Sequence, residues 1–382
     1  MHLKKLSVIN FKNFTEASLE FSPKFNCFSG NNGAGKTNLL DAIYYLSFCK
    51  SFSNPIDSHN ILFGQEMFMI QGVYQSAGHS DELYCGFRRQ QRKVFKKNKK
   101  EYDRLSDHIG HYPLVMISPN DTQLILGGSE DRRKFLDGVV SQYNHEYLHH
   151  LIGYNRALMQ RNALLKNFAE HGRFDPESLE IWDEQLVVNG QYIFLERSRF
   201  FDAFMPVFRE YYDKLSGGGE TVEINYQSSL KETDFAEQLV ECRQKDRMAQ
   251  YTTKGIHKDD LEFLIHQVPV KKFGSQGQQK TFIIALKLAQ YAFTRKIKKF
   301  NPVLLFDDIF DKLDAQRVEE LMQLVNNEDF GQVFVTDTHY ERLKSLLNSI
   351  QAPGRIFSVD QGEVTTEELF HESTQEPGQP LK

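Results

Sequence analysis

The 382-residue sequence predicts an α/β fold: a lobe built on a mixed β-sheet, interrupted by an inserted helical lobe, with no long coiled coil. Three observations carry that expectation. Gly30-Asn31-Asn32-Gly33-Ala34-Gly35-Lys36-Thr37 fits the phosphate-loop pattern G-x-x-x-x-G-K-[ST], with a short apolar strand at Phe25–Ser29 before it and a helical pattern at Asn38–Leu46 after it. Pro302-Val303-Leu304-Leu305-Phe306-Asp307-Asp308 is a continuously apolar run ending in two carboxylates, as expected of a parallel strand covered on both faces. Between the two, apolar residues recur at helical spacing.

Taken in order, Leu3–Ile9 and Ala17–Phe21 read as strands, and Pro23-Lys24 turns the chain into the phosphate-loop strand. Met67–Tyr74 and Glu82–Phe87 read as an antiparallel pair. Residues 88–100 then contain Arg88, Arg89, Arg92, Lys93, Lys96, Lys97, Lys99 and Lys100 without an acid. Such a run is either a solvated hairpin tip or a surface that grips phosphates without reading sequence, and Phe95 alone does not make a base-stacking platform. From Ser129 the stripe Leu136, Val140, Tyr143, Tyr147, Leu151, Tyr154, Leu158 predicts one long helix. After Gly172 and Pro176, the residues Leu186, Ile193, Phe200, Phe204, Phe208 and Tyr211 predict a second, antiparallel to it. Gly217-Gly218-Gly219 forms a joint, Thr221–Tyr226 a strand, and a polar helix runs on to about Met248. Ser275 caps a helix running through Thr281–Ala289, and Gln332–Thr336 is another buried strand, ending near Asp337, Thr338 and His339. The expected lobes are 1–128 with 290–362, and 129–289, followed by a disordered tail over 363–382.

The chemistry follows from residue types. Gly30, Gly33 and Gly35 let backbone N–H groups turn toward one set of phosphate oxygens, at the positive end of the following helix. Lys36 is placed to reach the β- and γ-phosphates of ATP, and the Thr37 hydroxyl to hold Mg²⁺. Asp307 supplies the acidic partner for Mg²⁺, and Asp308 is positioned to polarise an attacking water. Lys36 and Asp308 are thus the catalytic candidates, and Thr37 and Asp307 the metal ligands. Ser275, Gly277 and Gln278 open a second helix whose N-terminus suits an anion.

Composition bounds the rest. With 40% apolar and 25% charged residues the chain is ordinary globular material. Cys27, Cys49, Cys85 and Cys242 match no zinc or redox spacing, which fits a reduced cytoplasmic compartment. No apolar run reaches the ~18 residues that cross a bilayer, and no apolar signal segment follows the basic start. The net charge of −5 requires any nucleic-acid surface to be a local patch.

The order of phosphate loop, helical insert, Ser275-Gln276-Gly277-Gln278-Gln279 signature, Asp307-Asp308 and Asp311-Lys312-Leu313-Asp314 resembles ATPase heads of the ABC/SMC type over residues 1–360. Within them it is similar to the RecF family, in the signature and also in Ile117–Asp121 leading to Arg132–Asp137, and in Gly255–Leu261. The resemblance implies that Lys12 and Asn13 lie near the adenine. It further implies that Ser275, Gly277, Gln278 and Asp314 complete the ATP site of a second subunit in an ATP-dependent homodimer. It implies DNA repair and replication at single-stranded, gapped or linear duplex DNA, with RecR- and RecO-type mediators, the RecA recombinase and SOS induction downstream, and no membrane. Ile256 stands where the family commonly has Pro, and Ser53 where a basic residue is common. Asp308 replaces the Glu usual in transporters, which predicts slow, DNA-stimulated hydrolysis that regulates more than it drives. A transporter subunit would instead carry a Leu-Ser-Gly-Gly-Gln signature and a clear Q-loop, and a P-loop kinase would have no use for Ser275. An SMC-like ATPase of other purpose keeps the same motifs.

Overall fold

The computed structural model describes residues 1–370 apart from 77, 173 and 311–314. The chain forms two compact units, Met1–Pro119 with Thr294–Lys382, and Asn120–Phe293. The divisions fall at 119/120 and 293/294, whereas the apolar stripes place them at 128/129 and 289/290. The reason is local: the short helix after Pro119 packs on the helices that follow it.

The first unit contains β1 (His2–Phe11), β2 (Phe14–Glu20), β3 (Phe25–Ser29), α1 (Lys36–Phe48), β4 (Met67–Ser76), β5 (His79–Arg88), β6 (Val94–Lys97), β7 (Lys100–Glu101) and β8 (Leu114–Ile117). The second contains α2 (Gln123–Leu126), α3 (Ser129–Tyr143), α4 (His145–His171), α5 (Glu177–Ser216), β9 (Val222–Gln227), α6 (Phe235–Ala249), β10 (Asp260–Ile265), β11 (Val268–Pro269), α7 (Val270–Phe273) and most of α8 (Gln276–Lys298). The chain returns to the first unit with β12 (Val303–Phe306), α9 (Ala315–Asn326), β13 (Val333–Asp337), α10 (Tyr340–Ser349), β14 (Gly354–Asp360) and β15 (Glu363–Phe370).

Two sheets organise the first unit. One is antiparallel in the order β2-β1-β4-β5-β6-β7. The other runs β15-β14-β3-β13-β12-β8, parallel except for β15. Every residue of β3, β12 and β13 is buried, as a central parallel strand requires, and so is every residue of β8 at the sheet's edge. Helix α1 contacts strands of both sheets, and Leu39, Leu40, Ala42, Ile43, Tyr45 and Leu46 on it are fully buried. Phe21, just after β2, packs edge-on against Phe28, Phe334 and Phe357, tying β3, β13 and β14 together through one ring.

In the second unit α4 and α5 run antiparallel, joined by Asn144–Glu196, His150–Asn189 and Arg161–Asp183 contacts. Two buried arginines fix this assembly. Arg161 bonds Asp183 and Asp246, each at 2.6 Å. Arg197 meets Asp137 and Asp259 at 2.8 Å and also donates to the Ile256 carbonyl at 3.0 Å. Arg132 donates from Nε and Nη2 to the two carboxylate oxygens of Asp260, so the Arg132–Asp137 and Gly255–Leu261 motifs hold one another. Buried charges paired in this way specify geometry, because losing one partner strands the other.

Three expectations change. The stripe from Leu136 is two helices: Asn144 leaves helical angles and its side chain accepts from the Tyr147 N–H, capping α4. The second helix is longer than expected, 40 residues or about 60 Å, with Pro206 inside it. Residues 363–370 are not tail but the edge strand β15, joined to β14 by Gln361-Gly362, both with positive φ. The rest of the expected tail, 371–382, lies outside the described residues. Among the described residues no helix is long and apolar enough to cross a membrane.

Candidate nucleotide and nucleic-acid sites

The loop from Gly30 to Thr37 leaves β3 and enters α1 at Lys36. Gly30 and Gly35 have φ of 157° and 119°, and a Cβ on Gly30 would lie 2.2 Å from the Val359 carbonyl oxygen. The loop is therefore pressed onto the end of β14, where only glycine fits. Lys36 is buried and its ammonium donates to the carbonyls of Gly30 and Asn31 at 2.7 and 3.1 Å, inside the curl of its own loop. Asn31, Asn32 and Gly33 form the exposed rim, while Ala34 is buried.

Sheet order brings the acidic pair to this loop. β12 is separated from β3 by β13, so the carboxyl ends of all three strands converge. Thr37 Oγ1 donates to Asp307 Oδ1 at 2.8 Å, and Thr336, at the end of β13, donates to the same oxygen at 3.0 Å. Thr336 Oγ1 in turn accepts from the Asp308 N–H at 2.9 Å. Burial pushes the Asp307 carboxyl above the usual carboxylate range, against the pull of the two hydroxyl bonds. Asp308 is half-buried at φ 43°, the left-handed region that Asp and Asn tolerate better than most residues. Thr336 is a site residue that the sequence reading misses.

Asn13 reaches the phosphate loop from the β1–β2 turn: its amide donates to Ala34 O at 2.9 Å and accepts from Asn38 at 2.8 Å. A Cβ on Gly35 would lie 2.5 Å from that amide. Gly362 N, in the β14–β15 turn, also donates to Ala34 O, at 3.2 Å. Lys12 lies beside this contact, but its ammonium is committed to the buried Asp41 and to Ser53 Oγ at 2.6 Å.

These residues fit a magnesium nucleotide. The donor set is hard oxygen from Thr37 and Asp307, the glycine curl presents backbone N–H groups, and a buried ammonium stands at the loop. Thr37 and Asp307 could hold Mg²⁺, and Lys36 with the N-terminus of α1 could hold phosphate.

Ser275, Gly277 and Gln278 belong to the second unit. Ser275 Oγ accepts from the Gln278 N–H at 3.2 Å, and Gln278 Oε1 accepts from the Ser275 N–H at 2.8 Å: a reciprocal capping box at the start of α8. Gln278 Nε2 also donates to Glu220 at 2.7 Å, next to the Gly217–Gly219 joint. Hydrogen bonds from Tyr212 and Gln278 hold the Glu220 carboxyl below its usual range. In the same unit Lys287 of α8 pairs with the buried Asp121 at 2.7 Å. Asp314 lies outside the described residues.

The basic run is not one patch. Lys93 is a structural cation: its ammonium pairs with Asp57 at 2.8 Å and donates to Tyr45 and to the Cys49 carbonyl, leaving its side chain 11% exposed. It thus leaves the set of nucleic-acid candidates. Lys97 pairs with Asp81, and Lys96 lies over the Tyr84 ring. The exposed cations form two groups, Arg88, Arg89 and Arg92 at one end of β6 and Lys99 and Lys100 at the other. Four strand residues, about 13 Å, separate them.

A family model described as an AAA ATPase domain matches residues 1–124. The DNA replication and repair protein RecF of Phocaeicola vulgatus is 52% identical over 367 residues, covering 96% of this chain and 98% of the relative. A structure of the recombination mediator protein RecF-ATP in the RecFOR pathway superposes with a TM-score of 0.87 at 29% identity, over 96% of this chain and 98% of that one. The Smc head domain of Pyrococcus furiosus, with an extended coiled coil and bound to the C-terminal domain of ScpA, gives 0.56 at 17% identity, with 97% of each chain covered, a likeness of fold alone.

Proposed function

The chain belongs to the RecF family of DNA replication and repair proteins, and from that membership and its ABC/SMC-type head fold we propose that it is an ATP-gated DNA-binding protein of recombinational repair. The observation that carries the reading is the Thr37–Asp307 bond, which joins the two halves of a nucleotide site across 270 residues of sequence.

In this reading the backbone of Gly30–Thr37 and the Lys36 ammonium take the β- and γ-phosphates of ATP, and Lys36 exchanges its two carbonyl partners for phosphate oxygens. Thr37 and Asp307 would hold Mg²⁺, which would supply positive charge to offset that developing on the phosphates. Asp308, set by Thr336, orients a water against the γ-phosphorus and accepts its proton as ADP leaves. The Lys12 and Asn13 turn flanks the base, with the Lys12 ammonium kept on Asp41 and Ser53 and the Asn13 amide on the phosphate loop. Ser275, Gly277 and Gln278 of a second copy close over the γ-phosphate, so the nucleotide supplies the differential affinity that favours the dimer. Hydrolysis is slow and opens the dimer again.

The relatives' description as DNA replication and repair proteins and the matched RecFOR-pathway mediator structure support action on DNA in recombinational repair. From the resemblance we extend the reading to single-stranded, gapped or linear duplex DNA, RecR- and RecO-type mediators, RecA loading with its SOS consequence, and the cytoplasm. The exposed arginines beside β6 supply the phosphate contacts. The mass of the chain in solution, measured with and without ATP and with a gapped duplex, tests the reading. A monomer that dimerises only with ATP and then retains the duplex is expected. A mass indifferent to ATP overturns it.

A further inference from the structure

Phe63 is 99% exposed, the most solvent-facing large apolar residue among those described. It is not on a loose loop. Leu62 N donates to Asn10 O and Lys12 N to Asn60 O, both at 2.8 Å, which sews the segment onto the β1–β2 turn. Asn60 is buried, and its amide donates to the Asn54 and Ile56 carbonyls. Gln65 N closes a β-turn onto Leu62 O at 3.0 Å, with Phe63 and Gly64 as its central pair and Gly64 at φ 81°. The ring is therefore presented on a fixed turn with its faces in water.

That turn adjoins the arginine group. Arg89 N donates to Glu66 O at 3.1 Å, and Arg88 is the register partner of Met67. Arg88, Arg89 and Arg92 are all exposed, and the one acid in the turn segment is Glu66. An anionic partner with flat apolar faces suits an isolated exposed ring on a turn whose neighbouring strand end carries exposed arginines, and that is the chemistry of an unpaired nucleotide.

We propose that Phe63 is a base-stacking residue for single-stranded DNA, working with the phosphate contacts of Arg88, Arg89 and Arg92. The inference rests on the DNA-binding reading above and adds to it a preference for unpaired bases. A stacked ring prefers strands whose bases are free, so the site selects a gap or a frayed end over intact duplex, without reading sequence.

The experiment compares the full chain with Phe63→Ala and Phe63→Trp, with ATP present, on oligo(dT) and on a closed circular duplex. Phe63→Ala is expected to weaken oligo(dT) binding about tenfold with an unchanged salt slope, because no charge is removed. Closed duplex binding stays as in the parent. Phe63→Trp restores oligo(dT) affinity, and its added fluorescence is quenched by the oligonucleotide. Equal affinity of Phe63→Ala and parent for oligo(dT) overturns the inference, as does an equal loss on both DNAs. Loss of the ATP-dependent dimer with DNA affinity intact would assign Phe63 to a protein contact and also overturn it. If the parent chain binds neither DNA, the broader reading fails, not this residue alone.

Discussion

Thr37 and Asp307 hold one another by a 2.8 Å hydroxyl-to-carboxylate bond, with Thr336 donating to the same Asp307 oxygen. One residue lies in the first turn of the helix after the phosphate loop, and the other directly follows β12, two places from β3 in the sheet. The carboxylate is buried, and burial holds its pKa up, so the charge is kept at a cost that a divalent cation would relieve. Asp307→Asn retains an acceptor for both hydroxyls and removes the charge. Its thermal midpoint without nucleotide should match or exceed the parent's, while Mg²⁺-dependent ATP affinity falls at least about tenfold. Calorimetric titration with and without EDTA checks this; equal loss in both conditions would place Asp307 outside the metal site.

Asp308 sits at φ 43° with its N–H bonded to Thr336. Asn accepts the same left-handed backbone, whereas Ala would add strain, so Asp308→Asn is the clean test of chemistry. ATP binding and ATP-dependent dimerisation are expected to persist while turnover drops roughly 10²–10⁴-fold. Turnover within a factor of two of the parent would give the water to another group.

One buried histidine, His108, and one half-buried histidine, His257, set an acid limit to stability. His108 bonds the Leu46 carbonyl at 2.7 Å among Phe95, Tyr102 and Tyr112, and burial lowers its pKa to about 4. His257, between Tyr154 and the Thr252 carbonyl, is lowered by burial to about 4 as well. Both folded values lie below the unfolded value of about 6.5, so the unfolded chain binds more protons between them. Their contribution is complete above about pH 6.5 and is lost as pH falls toward 4, by up to about 1.4 kcal/mol per pH unit for each. Urea midpoints should fall from pH 7 to pH 5, and His108→Gln should shallow that fall. A midpoint flat over this range would show that the two rings are not held neutral.

Much of the site was legible because its chemistry is contiguous in sequence. The phosphate loop and Val303–Asp308 each declare strand, turn and functional group within a few residues. What was not legible arises from strand order and facing. Thr336 joins the site only because β13 lies between β3 and β12. Lys93 reads as one more surface cation until the fold brings Asp57 and Tyr45 around it. The break at Asn144 is invisible to periodicity because the apolar stripe continues in step across it, although an Asn before His145-Glu146 is a helix-start signal. β15 is masked by its Glu and Thr content, while Gln361-Gly362 carried a two-residue hairpin signal. Phe63 has no pattern at all; its meaning comes from neighbours at Arg88 and Arg89.

Ser275 presents the sharpest separation of structure from function. Its hydroxyl caps α8 by accepting from Gln278 N, and the Gln278 side chain returns the bond to Ser275 N. Ser, Asp and Asn cap helices about equally well, so Ser275→Asp keeps the cap and the stability of the second unit. It also puts a carboxylate where a second subunit's γ-phosphate would approach, and like charges at that distance repel by several kcal/mol once water is excluded. The expected variant unfolds as the parent does, binds ATP as a monomer with unchanged affinity, and fails to dimerise in sedimentation with ATP. Ser275→Asn, neutral and still a cap, should restore the dimer. An ATP-dependent dimer in Ser275→Asp as stable as the parent's would show that the start of α8 does not face nucleotide.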